Sequence, residues 1–598
     1  MGVVGEGTRA SPAPGAAWYT NWLATWTLAV LLFVGRIRDL LWRGRPRPPK
    51  GYAPLTDPQS SFYARRIYGR IHDCWNRPIA SAPGPWVDVL ERESLEGRTR
   101  ATRALPPTGA RRRCLNLGSY NYLGFAASDP YCTPRVLGAL SAGGVSPCAS
   151  RACGGALPVH SELEAMVAEF VGAEDAIAYG MGFATNSASL PVLCGPGALV
   201  LSDALNHTSI VAGVRSGGAA VRVFRHNDMR HLEALLRYHI AEGQPRTHRP
   251  WKKILIVVEG TYSMEGESPP LAAIVSLKKR YGAYLYLDEA HSIGAMGGTG
   301  RGLCEHAGVD PRDVDVLMGT FTKSFGSAGG YVAGSRAVIA YLRRHSPAHL
   351  YAAALAPGAA AQVVAALRLM RGEGGGGRGA AKVAQLHGNA HYMRRRLIAM
   401  GLHVLGDWDS PVVPVMVYHV GLLGAISRAL LRRRVAAVVV GFPATPLLLC
   451  RLRICVSAAH SREDLDYALD AIRDVAEVAG IDYARPAGRL WGLRAAARRA
   501  AAAAAAALAR GGAGGAEGGG HGGGGGTRSA SGGGSGAGSW RGSSSSCCSG
   551  SASGGEAESE ELSAAAADAH SCASSTAGAE CCCDEAACAC AGARAASC

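Results

Sequence analysis

Nowhere in the 598 residues is there a Gly-x-x-x-x-Gly-Lys-Ser/Thr phosphate loop, so the tetrapeptide Asp288-Glu289-Ala290-His291 does not read as an RNA-helicase box. Metal-ligand and disulfide spacings are missing too. Of the 18 cysteines, nine fall at or after Cys547 and nine are scattered through the rest, which points to reduced thiols in the cytosol. Cys581-Cys582-Cys583, with Cys588 and Cys590, sit in an Ala/Ser/Gly tract without the loop geometry of a zinc site, so no metal is expected. The first apolar run begins only at Trp18 and has no small-residue cleavage site, which argues against a removable signal peptide. A net charge of +16 is likewise unaccompanied by any nucleic-acid-binding motif. The basic excess sits in clusters, Arg36 to Lys50, Arg111-Arg112-Arg113 and Arg494 to Arg499, that suit a membrane flank or an anionic ligand, and nucleic acid is not expected as a partner.

What is present is a chain longer than one core usually serves, with ordinary charged (18%) and hydrophobic (48%) usage. Many of its 80 glycines lie in a tail that turns from polyalanine to Gly/Ser runs and then to cysteines. That tail, residues 485–598, cannot bury enough apolar surface to fold and is expected to be disordered. At the other end, residues 1–50 hold a membrane-helix candidate at about residues 18–35, near the lower length limit for a span, so a helix lying in the interface is the alternative. Its basic flank predicts a catalytic domain facing the cytosol.

Between these ends the chain alternates short apolar runs with helical periodicity, as an α/β fold should. Strands are expected at Ala176–Tyr179, Ala198–Leu201, Lys253–Val258, Ala283–Leu287 and Val314–Met318, and helices at Ser161–Phe170 and Leu271–Tyr281. We read an arm at 51–115, a large domain with a mainly parallel sheet at 116–360, and a smaller α+β domain at 361–484. The smaller domain has strands near Val412–Val417 and Arg453–Val456 and a helix over Ser461–Ala476; Arg371–Gly379 reads as a flexible glycine-rich loop.

Four segments carry chemistry: Asp203-Ala-Leu-Asn-His207, Leu287-Asp-Glu-Ala-His291, Gly319-Thr-Phe-Thr-Lys-Ser-Phe-Gly326 and Arg451-Leu-Arg-Ile-Cys455. Together they suit a pyridoxal 5'-phosphate site, which needs a lysine for the Schiff base and a carboxylate to keep the ring nitrogen protonated. Lys323, in a Gly/Ser/Thr-rich turn after a strand, and Asp288, at the end of an apolar strand, are placed to supply them. His207 and His291 are candidates to cover the ring face and to meet the phenolic oxygen. The backbone of Gly180-Met181-Gly182-Phe183, between a strand and a helix, is a candidate phosphate cradle.

These residues resemble the α-oxoamine synthase family, fold-type I enzymes that condense an amino acid with an acyl-CoA. The likeness extends to Gly319 through Tyr331, Trp251 through Ile254, Val258 through Gly266, Leu115 through Gly124 and Asn76 through Pro83. It is nearest to the catalytic subunits, plant and algal in type, of the branch that joins L-serine to palmitoyl-CoA and releases CoA and carbon dioxide. The resemblance implies that Lys323 holds the cofactor and serves as the base, that Asp288 pairs with the pyridinium nitrogen and that His207 stacks on the ring. It further implies that His291 meets the phenolic oxygen, that Thr320 and the backbone of Gly182 and Phe183 bind phosphate, and that Arg453 grips the serine carboxylate.

One departure stands out. Where the family has a hydroxyl pair that reaches the neighbouring subunit's cofactor, this chain has Tyr351-Ala352-Ala353-Ala354. Their loss suits a heterodimer with a homologous first subunit that lacks the lysine. The resemblance, together with the N-terminal apolar segment, implies a place at the endoplasmic reticulum membrane in contact with its lipids. The stretch from Arg151 to Pro158 also differs from the family pattern. The alternatives are a relative that uses glycine or alanine with a short acyl-CoA, and a non-catalytic scaffold subunit.

Overall fold

The computed structural model describes residues 18–41, 50–53, 62, 69, 71–93, 105–374, 376–446 and 448–483. The expected disordered tail lies outside the described residues.

The strands are β1 (Trp86–Arg92), β2 (Pro107–Asn116), β3 (Asp175–Tyr179), β4 (Ala198–Asp203), β5 (Ala220–Phe224), β6 (Lys253–Glu259) and β7 (Tyr284–Asp288). They continue with β8 (Val316–Thr320), β9 (Gly330–Gly334), β10 (Val412–Met416), β11 (Val435–Ala436), β12 (Val438–Val440) and β13 (Arg451–Cys455). The helices that bear on the argument are α1 (Trp18–Leu41), α2 (Pro158–Val171), α3 (Gly182–Leu193), α4 (Thr208–Ser216), α5 (Met229–Glu242) and α6 (Leu271–Tyr281), followed by α7 (Arg378–Ala399), α8 (Val420–Arg432) and α9 (Arg462–Ala479).

Seven strands form the main sheet in the order β3-β9-β8-β7-β6-β4-β5. Pairings among β5, β4, β6, β7 and β8 are parallel, and β9 runs antiparallel to both β8 and β3. Both faces are covered, which explains why these strands read as unbroken apolar runs. Along β6, Ile254, Ile256 and Val258 enter one core and Leu255 and Val257 the other, as the two-residue side-chain period requires. Helices α4, α5 and α6 are the connections from β4 to β5, β5 to β6 and β6 to β7.

The expected strands and helices are present with boundaries shifted by a few residues. Two strands of the main sheet went unread. β5, Ala220-Val-Arg-Val-Phe224, is an edge strand with two exposed residues at its centre, and β9 is bounded by glycines. At Gly330 the glycine is required by close approach, because a Cβ there would lie 2.6 Å from Thr185 Oγ1. The expected loop at Arg371–Gly379 is shorter than read, since α7 begins at Arg378.

Two smaller sheets follow, β10-β13-β12, wholly antiparallel, and β1-β2-β11. β13 thus lies between β10 and β12, and this fixes Arg453 opposite Pro414 and Val438. Helix α9 opens on a reciprocal capping box in which Ser461 accepts from the Asp464 amide. Helix α1 extends beyond the expected 18–35 to Leu41, and no helix among the described residues is long and apolar enough to cross a membrane.

Candidate active site

Parallel strands present their C-terminal ends along one edge, and in this sheet Asp203, Glu259, Asp288 and Thr320 are the last residues of β4, β6, β7 and β8. Register places Glu259 directly beside Asp288. Asp288 is 3% exposed; its Oδ2 accepts from Asn186 Nδ2 at 2.7 Å and its Oδ1 from the Ala290 amide at 2.9 Å. Burial together with the Asp288 charge holds the Glu259 carboxyl well above the usual carboxylate range.

Lys323 follows β8 by three residues, in a turn that closes at Gly326. Gly326 has φ +61° and backs onto the Phe125–Ala126 backbone, where a Cβ would lie 2.4 Å from the Ala126 nitrogen. The Lys323 ammonium stands 5.7 Å from the centre of the Tyr120 ring. The Arg453 guanidinium, from β13, stands 4.5 Å from the same ring. Tyr120 therefore brings together two cations that are 130 positions apart in sequence. Arg451, two residues before Arg453, has a different surrounding: 2% exposed, it donates to Met264 O at 2.7 Å and pairs with Glu265 at 3.3 Å.

His291 is buried, hydrogen-bonds through Nδ1 to Tyr122 Oη at 2.7 Å, and meets the Tyr120 ring edge-on at 4.9 Å. Burial first and the Lys323 charge second push its pKa well below the ordinary histidine value. His207 caps α4 by accepting the Ser209 amide. Its own amide donates to Glu259 Oε1 at 2.5 Å, and Phe183 meets its ring at 6.3 Å. Burial lowers its pKa despite the opposing pull of Asp288.

The fourth corner is the start of α3. A Cβ on Gly182 would lie 2.8 Å from Thr320 Oγ1, so only glycine lets the first turn of α3 come this close to the end of β8. Thr320 is 3% exposed and hydrogen-bonds to Thr322 Oγ1 at 2.8 Å. The first amides of a helix have no intrahelical acceptor, so Gly182 and Phe183 offer donors beside a hydroxyl.

The structure thus brings together all eight residues singled out in the sequence. It adds Tyr120, Tyr122, Asn186, Ser209 and Glu259. The tyrosines lie within the motif Leu115 to Gly124, but nothing local marks them as site residues. The polar side chains of Asn186 and Ser209 on their helices were the available signal.

A buried strand-end carboxylate, a lysine beside an aromatic face, two histidines kept neutral and a glycine-hydroxyl cradle fit pyridoxal phosphate at each of its polar atoms. This sheet and this site define a fold-type I pyridoxal-phosphate-dependent transferase. The aminotransferase class I and II family model matches residues 112–472. The chain is 54% identical over 472 residues to long chain base biosynthesis protein 2b of Arabidopsis thaliana, covering 78% of this chain and 95% of that one. It is 47% identical over 455 residues to serine palmitoyltransferase 2 of Dictyostelium discoideum, covering 75% and 92%. A solved structure of SPT with PLP superposes with TM-score 0.62 at 27% identity, covering 71% of this chain and all of that one. The chain belongs to the aminotransferase class I and II family and, within it, to the long chain base biosynthesis protein 2 family of serine palmitoyltransferase subunits.

Proposed function

We propose that this chain is the cofactor-carrying subunit of a serine palmitoyltransferase. It condenses L-serine with palmitoyl-CoA to 3-ketosphinganine, CoA and carbon dioxide, the first step of sphingolipid biosynthesis. The observation that carries this reading is the grouping of Lys323 and Arg453 over Tyr120. It sets an amine and a carboxylate-binding guanidinium against the same aromatic ring, as an amino-acid substrate requires.

Pyridoxal phosphate, when bound, supplies the electron sink that spreads the negative charge left at the serine α-carbon. Each protein group then has a defined task. Lys323 holds the cofactor and moves the α-proton. Asp288, buried and braced by Asn186, keeps a proton on the pyridine nitrogen. His207 covers one ring face and neutral His291 hydrogen-bonds at the phenolic oxygen. Thr320 and the first amides of α3 hold the phosphate. Arg453 would bind the serine carboxylate, its planar fork suited to two hydrogen bonds that lysine does not reproduce.

The same reading places the chain on the cytosolic side of the endoplasmic reticulum membrane, with α1 lying in the lipid interface. Trp22, Trp26, Val30, Phe33, Ile37 and Leu40 are all exposed and recur every three or four residues, a stripe suited to lipid, while Ala24 and Leu28 are buried. A homologous first subunit lacking the lysine is its proposed partner. Support comes from the segment Ala352-Ala353-Ala354, which offers no hydroxyl; Ala354 donates its amide to Ala149 O at 3.0 Å.

The test is the change in visible cofactor absorbance when L-serine, glycine or alanine is added to the subunit copurified with its partner. A serine-selective change and turnover with palmitoyl-CoA are expected; a response favouring glycine or alanine overturns the substrate assignment.

A further inference from the structure

Asn186, on α3, makes three hydrogen bonds whose directions are fixed by one neighbour. Its Nδ2 approaches Asp288 Oδ2 at 2.7 Å and Ser209 Oγ at 3.0 Å, while its Oδ1 accepts from Tyr286 Oη at 2.8 Å. A carboxylate only accepts, so the amide must turn its NH2 group toward Asp288. One of the two amide hydrogens goes to Asp288 and the other to Ser209 Oγ. Ser209 Oγ, already accepting there, directs its own hydrogen to His207 Nδ1, 2.7 Å away. The Ser209 backbone amide donates to the same nitrogen at 3.2 Å. With two donors aimed at it, Nδ1 is the bare nitrogen and the ring proton sits on Nε2.

We propose that Asn186 and Ser209 are positioning residues that transmit the fixed polarity of the Asp288 carboxylate to His207 and lock its ring as the neutral Nε2–H tautomer. The group that holds a proton on the cofactor ring nitrogen would thereby also set the donor character of the group that covers the ring. His207 then acts as a hydrogen-bond donor through Nε2 and not as a base. Asn186 is 1% and Ser209 2% exposed, so water does not compete for these bonds. Glu259, accepting the His207 amide, fixes the backbone that carries the ring. The proposal rests on the pyridoxal phosphate reading for what the ring covers, but the tautomer belongs to the chain itself and is measurable whichever cofactor is present.

The experiment is solid-state 15N NMR of the full-length chain with its partner, labelled in histidine, with the His207 signals assigned by difference from His207→Gln. Wild type is expected to show an unprotonated Nδ1 and a protonated Nε2 at neutral pH. Ser209→Ala and Asn186→Leu are expected to show both neutral tautomers and an imidazolium that forms at higher pH, with Ser209→Thr restoring the wild-type pattern. In parallel, kcat should fall on the order of tenfold in the first two variants, the worth of about one buried hydrogen bond. A protonated Nδ1 in the wild type, or unchanged His207 signals in Ser209→Ala, overturns the proposal. Ser209→Ala and Ser209→Thr decide the matter if Asn186→Leu does not fold. Loss of cofactor absorbance with the tautomer intact would instead count against the functional reading alone.

Discussion

Tyr122 Oη lies 2.7 Å from His291 Nδ1, and both residues are almost wholly closed to water. Because His291 is held neutral by burial and by the Lys323 charge, the bond has a phenol as one partner and an uncharged imidazole as the other. Tyr122→Phe removes only the hydroxyl. Activity should fall on the order of tenfold, and stability by on the order of 1–3 kcal/mol, because the buried His291 Nδ1 loses its partner while the ring still fills its space. Steady-state kinetics and a melting curve check this.

Lys323→Ala should abolish both the visible cofactor absorbance and the condensation. Retained turnover in this variant would remove the central residue of the site.

Two arginines on one strand should respond differently. Arg453→Lys keeps a cation over Tyr120 but loses the planar fork, so KM for L-serine should rise at least tenfold with the fold intact. Arg451→Lys should act on stability, costing on the order of 1–3 kcal/mol, because its guanidinium is buried against Met264 O and Glu265. A serine titration and a denaturant midpoint for each variant separate the two outcomes.

At Gly182 an alanine methyl would press on Thr320 Oγ1. Gly182→Ala is expected to weaken pyridoxal phosphate binding at least tenfold, read by cofactor titration, while the chain stays folded.

His226 lies between Asp203, 2.8 Å away, and Glu267, 3.6 Å away. Burial alone would lower its pKa, but the hydrogen bonds to these two carboxylates outweigh that and raise it to about 9. A pKa raised on folding means stability that is fully present below the unfolded value, about 6.5, and lost as pH rises through the folded one. Wild type should therefore exceed His226→Gln by on the order of 1–3 kcal/mol under mildly acidic conditions, with the gap closing as pH passes 9. Equilibrium unfolding across that range is the check.

How much of this was legible in advance varies with the range of the interaction. Asp288 and Lys323 were readable because their chemistry is local, a carboxylate at the end of an apolar strand and an amine in a small-residue turn after the next one. β9 was hidden because its glycines serve contacts with Thr185 and β8 that no periodicity reports. Tyr120 gains meaning only once β13 brings Arg453 over its ring, and Asn186 only once α3 lies beside Asp288. Helix α1 was expected from its apolar run, but its exposed stripe becomes visible only when Ala24 and Leu28 are seen to be buried.

The alignment of strand ends along the sheet edge also bears on which genetic changes the site can survive. Glu259 and Asp288 sit side by side only because β6 and β7 run in step from Leu255 and Tyr284 onward. Deleting or inserting one residue within either strand would reverse the parity of every side chain beyond it, moving the carboxylate to the opposite face of the sheet. Substitutions along these strands are graded in effect, whereas changes in length are all or nothing, so insertions and deletions should be tolerated only in the connections that enter and leave them.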